Sequence, residues 1–352
     1  MTFVLGGTMP AWAAYADRRP VLAALDSLLR GVGQIALMNN PVTGLLIVVA
    51  LFTSDSYVGV LTIVGLGVST LTARLLRLDG TRIRAGLFGY NGALVGAALA
   101  VFFLPRWDGM TVISVVLCSA MSTIVLVAVS AALGPLKLPP LTLPFNVVAI
   151  IFLCSTYSGT RMQRTPAFEE AVVVAATARL DSNVGADSVR NSVTALLNAT
   201  FRGLAQLFLV DGVVAGILIA IAILVCSPTA TAMALAGSAL GALVGMALGA
   251  NRIDVYHGLW SFNSYITGIA IGGLFLVPTL GSLLYGLVAA ASAAVAYGAL
   301  TPMFGRFGAP ALTLPFCLTT LVFLLIKDAT PLFRAVPPSE TTTAEDHWRR
   351  SV

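Results

Sequence analysis

This chain of 352 residues contains one unusual stretch twice. Residues 137–149 read KLPPLTLPFNVVA and residues 308–320 read GAPALTLPFCLTT. Pro139, Leu141, Thr142, Leu143, Pro144 and Phe145 recur 171 residues later as Pro310, Leu312, Thr313, Leu314, Pro315 and Phe316. Proline donates no N–H and pushes the residue before it out of the helical region. A threonine closed by Leu-Pro-Phe therefore puts a hydroxyl and free carbonyls where a helix starts or breaks. Two more motifs repeat at an offset of 172: Arg30, Gly31, Gln34 and Gly44 match Arg202, Gly203, Gln206 and Gly216, and Gly86, Leu87, Asn91 and Gly96 match Gly258, Leu259, Asn263 and Gly268. A nearly constant offset across three separated motifs marks a duplicated unit.

What the unit is made of follows from composition. Hydrophobic residues make up 58% of the chain, charged residues 10%, and mean hydropathy is +0.93, whereas soluble domains carry about 25% charged residues. The chain is an all-α polytopic membrane protein. Apolar runs lie at 34–52, 57–76, 86–103, 110–133 and 143–157, and again at 206–226, 230–250, 258–277, 281–300 and 312–326. The expected organisation is a cytoplasmic N-terminal segment over 1–29, a first membrane repeat over 30–157, an extracytoplasmic linker over 158–200, a second repeat over 201–326 and a disordered cytoplasmic tail over 327–352. An odd number of crossings per unit forces the units into opposite orientations, so an inverted repeat is expected, with the substrate site where the units meet. With both termini cytoplasmic, twelve Arg and Lys fall inside and four outside, leaving aside the long linker.

The net charge of +5 then fits a cytoplasmic excess of arginine and gives no reason to expect nucleic acid. Cys118, Cys154, Cys226 and Cys317 all sit in apolar runs without metal spacing and read as packing residues. Met1–Arg19 lacks a basic start followed by an apolar core, so no cleavable leader is expected. No phosphate-binding loop, metal cluster or Ser/His/Asp set is visible, so neither an enzyme nor a cofactor is expected. His257 and His347 form no intramembrane pair, which disfavours an ammonium channel. Asn40-Pro41-Val42 is matched by Gly212-Val213-Val214, so a helix break in only one half disfavours an aquaporin.

What remains is a set of hydroxyls, amides and aromatics. The second motif reads GLFGYNGALVG at 86–96 and GLWSFNSYITG at 258–268. Its glycines suit close helix packing, while the pairs Tyr90-Asn91 and Phe262-Asn263 place an amide at membrane depth, which calls for a partner or a function. Gln34 and Gln206 open the first run of each unit; each can bridge helices or line a pore. Asp211 lies within an apolar run, opposite a neutral Asn39 in the other unit, and could couple transport to protons or be a paired acid. Such chemistry suits a small neutral polar solute.

The LPPLTLPFN stretch, its LTLPF twin, the GLFGYNGALVG stretch and the duplicated Arg-Gly-x-x-Gln resemble the urea transporter family over residues 26–326. The resemblance implies a channel-like urea permease with ten membrane helices and two half-spanning pore helices. It also implies a homotrimer with one pore per protomer, here in a bacterial inner membrane. In that family aromatic pairs sandwich the face of urea while a ladder of oxygens serves its edge. Carried over, Thr142 and Thr313 match the central pore threonines, Gln34 and Gln206 the paired Gln/Glu positions, and Tyr90 and Phe262 one slot aromatic in each half. Leu37 and Leu209 stand where the second slot aromatics normally lie. Tyr90 adds a hydroxyl where Phe is usual, and both Gln positions are neutral where an acid often occurs on one side. The implied pore is Gln34, Leu37, Tyr90, Asn91, Thr142, Gln206, Leu209, Phe262, Asn263 and Thr313. The solute is urea or a similar small neutral molecule, and the surroundings are membrane lipid. Open alternatives are a proton-coupled transporter using Asp211 and a channel for an amide, ammonia or water.

Overall fold

Each unit begins with a helix that stops and turns. In the first, Pro20–Gly33 runs into a short 3-10 turn at Gln34–Ala36, and the chain restarts as Pro41–Ser54 at 75° to it. Leu37, at φ 64, ends the first helix, and the Asn40 side chain caps the second by accepting from the N–H groups of Val42 (2.8 Å) and Thr43 (3.1 Å). The second unit repeats the break. Ser192–Gln206 ends at Leu209, φ 56, and Val213–Cys226 follows Gly212, φ 141. The break is thus present in both halves: Pro41 opens the new helix in one, and Gly212, at a positive φ that favours glycine, precedes it in the other. The computed structural model describes residues 4–104, 106–158, 162–166, 168 and 192–351; most of the expected extracytoplasmic linker lies outside these.

Element boundaries carry the same offset as the motifs. Pro20–Gly33, Pro41–Ser54, Ser56–Leu75, Gly80–Arg84 and Tyr90–Phe102 start 172 residues before Ser192–Gln206, Val213–Cys226, Pro228–Ala247, Arg252–Tyr256 and Phe262–Ile269. Leu143–Ser155 starts 171 before Leu314–Leu325. The correspondence of helices thus reaches back to Pro20 in the first unit and, among the described residues, to Ser192 in the second. Residues 1–29 were expected as a cytoplasmic segment because the stretch is mixed in composition, with Asp26 inside it and Arg30 directly after it. Both are buried, and they neutralise each other through an Asp26 Oδ2 to Arg30 Nε contact of 2.7 Å. Arg30 and its counterpart Arg202 are likewise not loop charges: each lies within a helix.

The duplicated glycines answer to backbone contact. A Cβ on Gly44 would lie 1.8 Å from the carbonyl oxygen of Leu29, and one on Gly216 1.8 Å from that of Phe201. Gly86 and Gly258, at φ +75 and +78, would meet the N atoms of Gly31 and Gly203 at 2.3 Å. These contacts press the returning chain onto the broken helix in both units, and only glycine fits there.

Ser56–Leu75, Gly109–Leu136, Pro228–Ala247 and Leu280–Gly305 are long and apolar enough to cross a membrane singly, and the bent pair gives a fifth span. Helix length alone accounts for these; Tyr90–Phe102, Leu143–Ser158, Val213–Cys226 and Leu314–Leu325 are apolar but shorter. Met110, Ile113, Leu117, Met121 and Ile124 are exposed along one stripe of Gly109–Leu133, an outer surface that suits hydrocarbon.

The units pack through equivalent elements. Pro41–Ser54 lies against Val213–Cys226, where Thr43 Oγ1 donates to the Ala222 carbonyl at 2.6 Å, and Leu143–Ser155 meets Leu314–Leu325. The tail expected to be disordered is instead attached. Phe333 stacks on Tyr285 at 4.4 Å, Ala335 bridges to Leu276, and Ala344–Ser351 is a helix whose His347 is buried.

Candidate functional site

The two duplicated LTLPF stretches meet. In each, Leu-Pro starts a helix inside the protein, and the preceding leucine is left-handed: Leu141 at φ 49 and Leu312 at φ 48. A non-glycine residue in that region costs on the order of 1–3 kcal/mol and persists only where its surroundings hold it. Here the surroundings are the duplicated asparagines. Asn91 Oδ1 accepts from Phe145 N at 3.0 Å, and Asn263 Oδ1 accepts from Phe316 N at 3.0 Å. Each asparagine, fully buried, thereby satisfies an N–H of the first turn that has no partner within its own helix. The two asparagines thereby set the helix starts.

That geometry brings Thr142 Oγ1 and Thr313 Oγ1 to 2.7 Å. The flanking contacts are reciprocal. Position 146 of the first unit reaches Thr313, and its equivalent 317 reaches Thr142: Asn146 Nδ2 donates to Thr313 Oγ1 at 2.8 Å, while Cys317 Sγ lies 3.1 Å from Thr142 Oγ1. A contact of i with j matched by one of j with i is the signature of a local two-fold axis, and it passes between the threonines. The axis is broken chemically, because one side carries an amide and the other a thiol. Asn146 also donates to the Thr142 carbonyl at 2.8 Å and accepts from Thr313 N at 3.1 Å, which fixes its amide orientation. Neither Asn146 nor Cys317 was among the predicted site residues; the signal was present as LPFN against LPFC.

A second asymmetry lies beside the first. Tyr90 Oη donates to the Leu141 carbonyl at 2.7 Å. In the other unit the residue is Phe262, and Asn263 Nδ2 donates to the Leu312 carbonyl at 3.2 Å instead. The Tyr90 hydroxyl has displaced the Asn91 amide, whose buried Nδ2 has no hydrogen-bond partner. Tyr90 and Phe262 are both buried, and Phe262 meets Tyr297 edge to face at 5.8 Å.

The remaining predicted residues sit at the helix breaks. Gln34, Leu37, Gln206 and Leu209 are all half-buried. Gln34 Nε2 donates to the Ala85 carbonyl at 3.1 Å, and the Gln34–Ala36 turn packs against Tyr90–Phe102. Leu209 lines a cavity of about 430 Å³ that also reaches Asp55, Arg106 and Asp211. The structure therefore joins Thr142, Thr313, Tyr90, Asn91 and Asn263 in one cluster and puts the Gln/Leu pairs at the two breaks.

Asp211 is a paired acid. It lies in the turn between two helices with its side chain 39% exposed. Arg202 Nη1 reaches its Oδ2 at 2.5 Å and His257 Nδ1 at 2.7 Å. Its counterpart Asn39 is held alike by Arg30, whose Nη1 donates to Asn39 Oδ1 at 2.8 Å and to its carbonyl at 2.9 Å. The clamp is duplicated, and the charge at 211 answers Arg202 and His257. Burial raises the Asp211 carboxyl, but the His257 hydrogen bond and the Arg202 charge outweigh that and hold it below its ordinary value.

Two broken-helix units joined about a two-fold axis, apolar outside and meeting in hydroxyls, an amide and a thiol, define a polytopic membrane transport protein. The family is given by comparison. A model of the urea transporter family matches residues 25–328. The chain is 34% identical over 343 residues to Urea transporter 1 of Capra hircus, covering 97% of this chain and 87% of that one, and 33% identical over the same length to Urea transporter 1 of Rattus norvegicus. The chain belongs to the urea transporter family.

Proposed function

We propose that the protein conducts urea passively, through a narrow path between the two inverted repeats, with the Thr142–Thr313 pair at its centre. The observation that carries this reading is the 2.7 Å hydroxyl contact in a site whose flanking groups are an amide and a thiol. Urea is planar and neutral, and each water hydrogen bond lost on entering an apolar passage costs on the order of several kcal/mol unless it is replaced. Hydroxyls and carbonyls replace those bonds at similar energy along the way, so the solute is neither rejected nor trapped. Ions gain too little from such groups to shed their water. The carbonyls come from the LTLPF starts and the helix breaks, irregular backbone that is tolerated at membrane depth only where protein buries it or a path uses it.

Gln34, Leu37, Gln206 and Leu209 flank the centre in this reading, and Tyr90 and Phe262 face the solute's plane. The leucines give a flat apolar wall in place of a second aromatic. The protein acts as a homotrimer in a bacterial inner membrane, with both termini cytoplasmic. Both ends do meet one turn, where Gly7 N donates to the Cys226 carbonyl at 3.1 Å and Glu345 reaches Ser227 and Thr229. Solute selectivity in proteoliposomes tests the reading. Urea entry well above that of empty vesicles, competed by urea analogues and without ion current, is expected. Faster entry of an amide, ammonia or water than of urea would replace urea as the solute.

A further inference from the structure

The cavity beside Leu209 has a counterpart in the other half. Asp55, Val58, Val101 and Val210 line the first, of about 430 Å³. Shifted by 172 residues these positions are Ser227, Ala230, Gly273 and Met38, and all four line a second cavity reduced to about 10 Å³. What fills it is the C-terminal segment: Thr342, Thr343 and Ala344 form one side of its wall. Burial follows the same division. Leu104 in the open cavity is half-buried, whereas its equivalent Leu276 is 1% exposed.

The segment is held by bonds that complete the second unit. In the first unit Asp55 caps Ser56–Leu75, accepting from Tyr57 N at 2.9 Å and Val58 N at 3.3 Å. In the second unit the cap is Ser227, too short to serve both; it accepts from Ala230 N at 3.1 Å. Thr229 N, equivalent to Tyr57 N, donates instead to Glu345 Oε1 at 2.8 Å, and Ser227 Oγ donates to the same oxygen at 3.1 Å. The C-terminal helix thus returns to the helix N-terminus the carboxylate that position 227 lacks. His347 adds a second pin. Its Nε2 accepts from Thr342 N at 2.9 Å, so Nδ1 carries the proton and donates to the Gly273 carbonyl at 3.1 Å.

We propose that residues 342–351 are a built-in plug, seated in the cavity at the Met38 end of the protein and narrowing the path there. The seating stands on the contacts above; the narrowing rests on the conduction path proposed above, since Met38 follows Leu37. The two parts are separable by experiment. Met38→Cys and Leu104→Cys are labelled with a membrane-impermeant maleimide in proteoliposomes of both insertion orientations. Each is tested in the full chain and in a chain ending at Pro337, with Glu345→Ala/His347→Ala as a milder release that keeps the chain length. Labelling at 38 is expected to rise about 10-fold on truncation or release, with labelling at 104 unchanged. Equal labelling of 38 in all three backgrounds would overturn the seating. Urea flux is expected to rise severalfold on release; raised labelling with unchanged flux would overturn the narrowing alone. Absence of urea flux in every background would count against the conduction path and leave the labelling result standing.

Discussion

Thr142 Oγ1 and Thr313 Oγ1, 171 residues apart in sequence, lie 2.7 Å apart at the junction of the two units. The pair joins equivalent positions of the two units through side chains of the same kind. Around it the two-fold relation holds in geometry and fails in chemistry, so each half is a control for the other.

Asn146 and Cys317 are the first such control. Asn146→Cys removes the donors to Thr313 Oγ1 and to the Thr142 carbonyl. A net loss of about 1 kcal/mol per hydrogen bond predicts a fall of roughly 5- to 30-fold in urea flux. Because the positions are two-fold equivalent, Asn146→Cys/Cys317→Asn rebuilds the network from the opposite side and is expected to recover most of the flux. Stopped-flow light scattering on proteoliposomes reads both; a double variant no better than Asn146→Cys would show that the amide acts through something other than the threonines.

Tyr90→Phe gives the first unit the residue of the second. The Asn91 amide, now without a partner, is then free to donate to the Leu141 carbonyl as Asn263 does to Leu312. The single change is expected to move stability by less than about 1 kcal/mol. Asn91→Ala is expected to cost more in the Tyr90→Phe background than in wild type, with a coupling of about 0.5–3 kcal/mol in a thermal unfolding cycle. Additive effects would mean that the two side chains do not compete for that carbonyl.

Gly44→Ala and Gly216→Ala each push a methyl into a carbonyl oxygen that a Cβ would approach to 1.8 Å. Overpacking costs typically 1–3 kcal/mol, and backbone on the far side gives way less easily than a side chain. Both variants are expected to lose monodispersity in detergent and to melt well below wild type, to similar extents. Wild-type melting of either would show that the broken helix does not need this close approach.

Asp211→Asn tests the charge clamp. A carboxyl held below its ordinary value stabilises the clamp above that value and loses this contribution only as pH falls through the lowered one. Between about pH 6 and 8 the clamp does not titrate through Asp211, so urea flux is expected to be level across that range. Asp211→Asn copies Asn39 and is expected to keep downhill flux. Uphill urea accumulation under a pH gradient, abolished by this substitution, would restore proton coupling.

The duplicated unit and a helix break at Asn40-Pro41 were legible in the sequence because proline and glycine leave few structural options, whereas the matching break before Val213 and the direct contact of the two threonines were not. Nor was the start of each unit. Pro20–Gly33 hides its membership behind Asp26 and Arg30, a local i,i+4 pair that is buried because Trp12 and Arg84 also reach Asp26 from elsewhere in the chain. Of the two readings of Asp211 the paired acid is the one observed: Gly212 turns the chain, and Arg202 and His257 both reach the carboxylate. The attachment of the tail depends on Glu345 finding an N–H group 116 residues away, which no local pattern encodes.

Urea entry into proteoliposomes carrying wild type, Thr142→Val, Thr313→Val and the double variant tests the centre most directly. Each valine keeps the shape and removes the hydroxyl. A passive path centred on the pair predicts fast downhill entry for wild type, indifferent to a pH gradient. It also predicts a loss of about 5- to 10-fold for each single variant and a double variant little worse than either, because the hydroxyls act as one hydrogen-bonded unit. Wild-type flux in the double variant would contradict it.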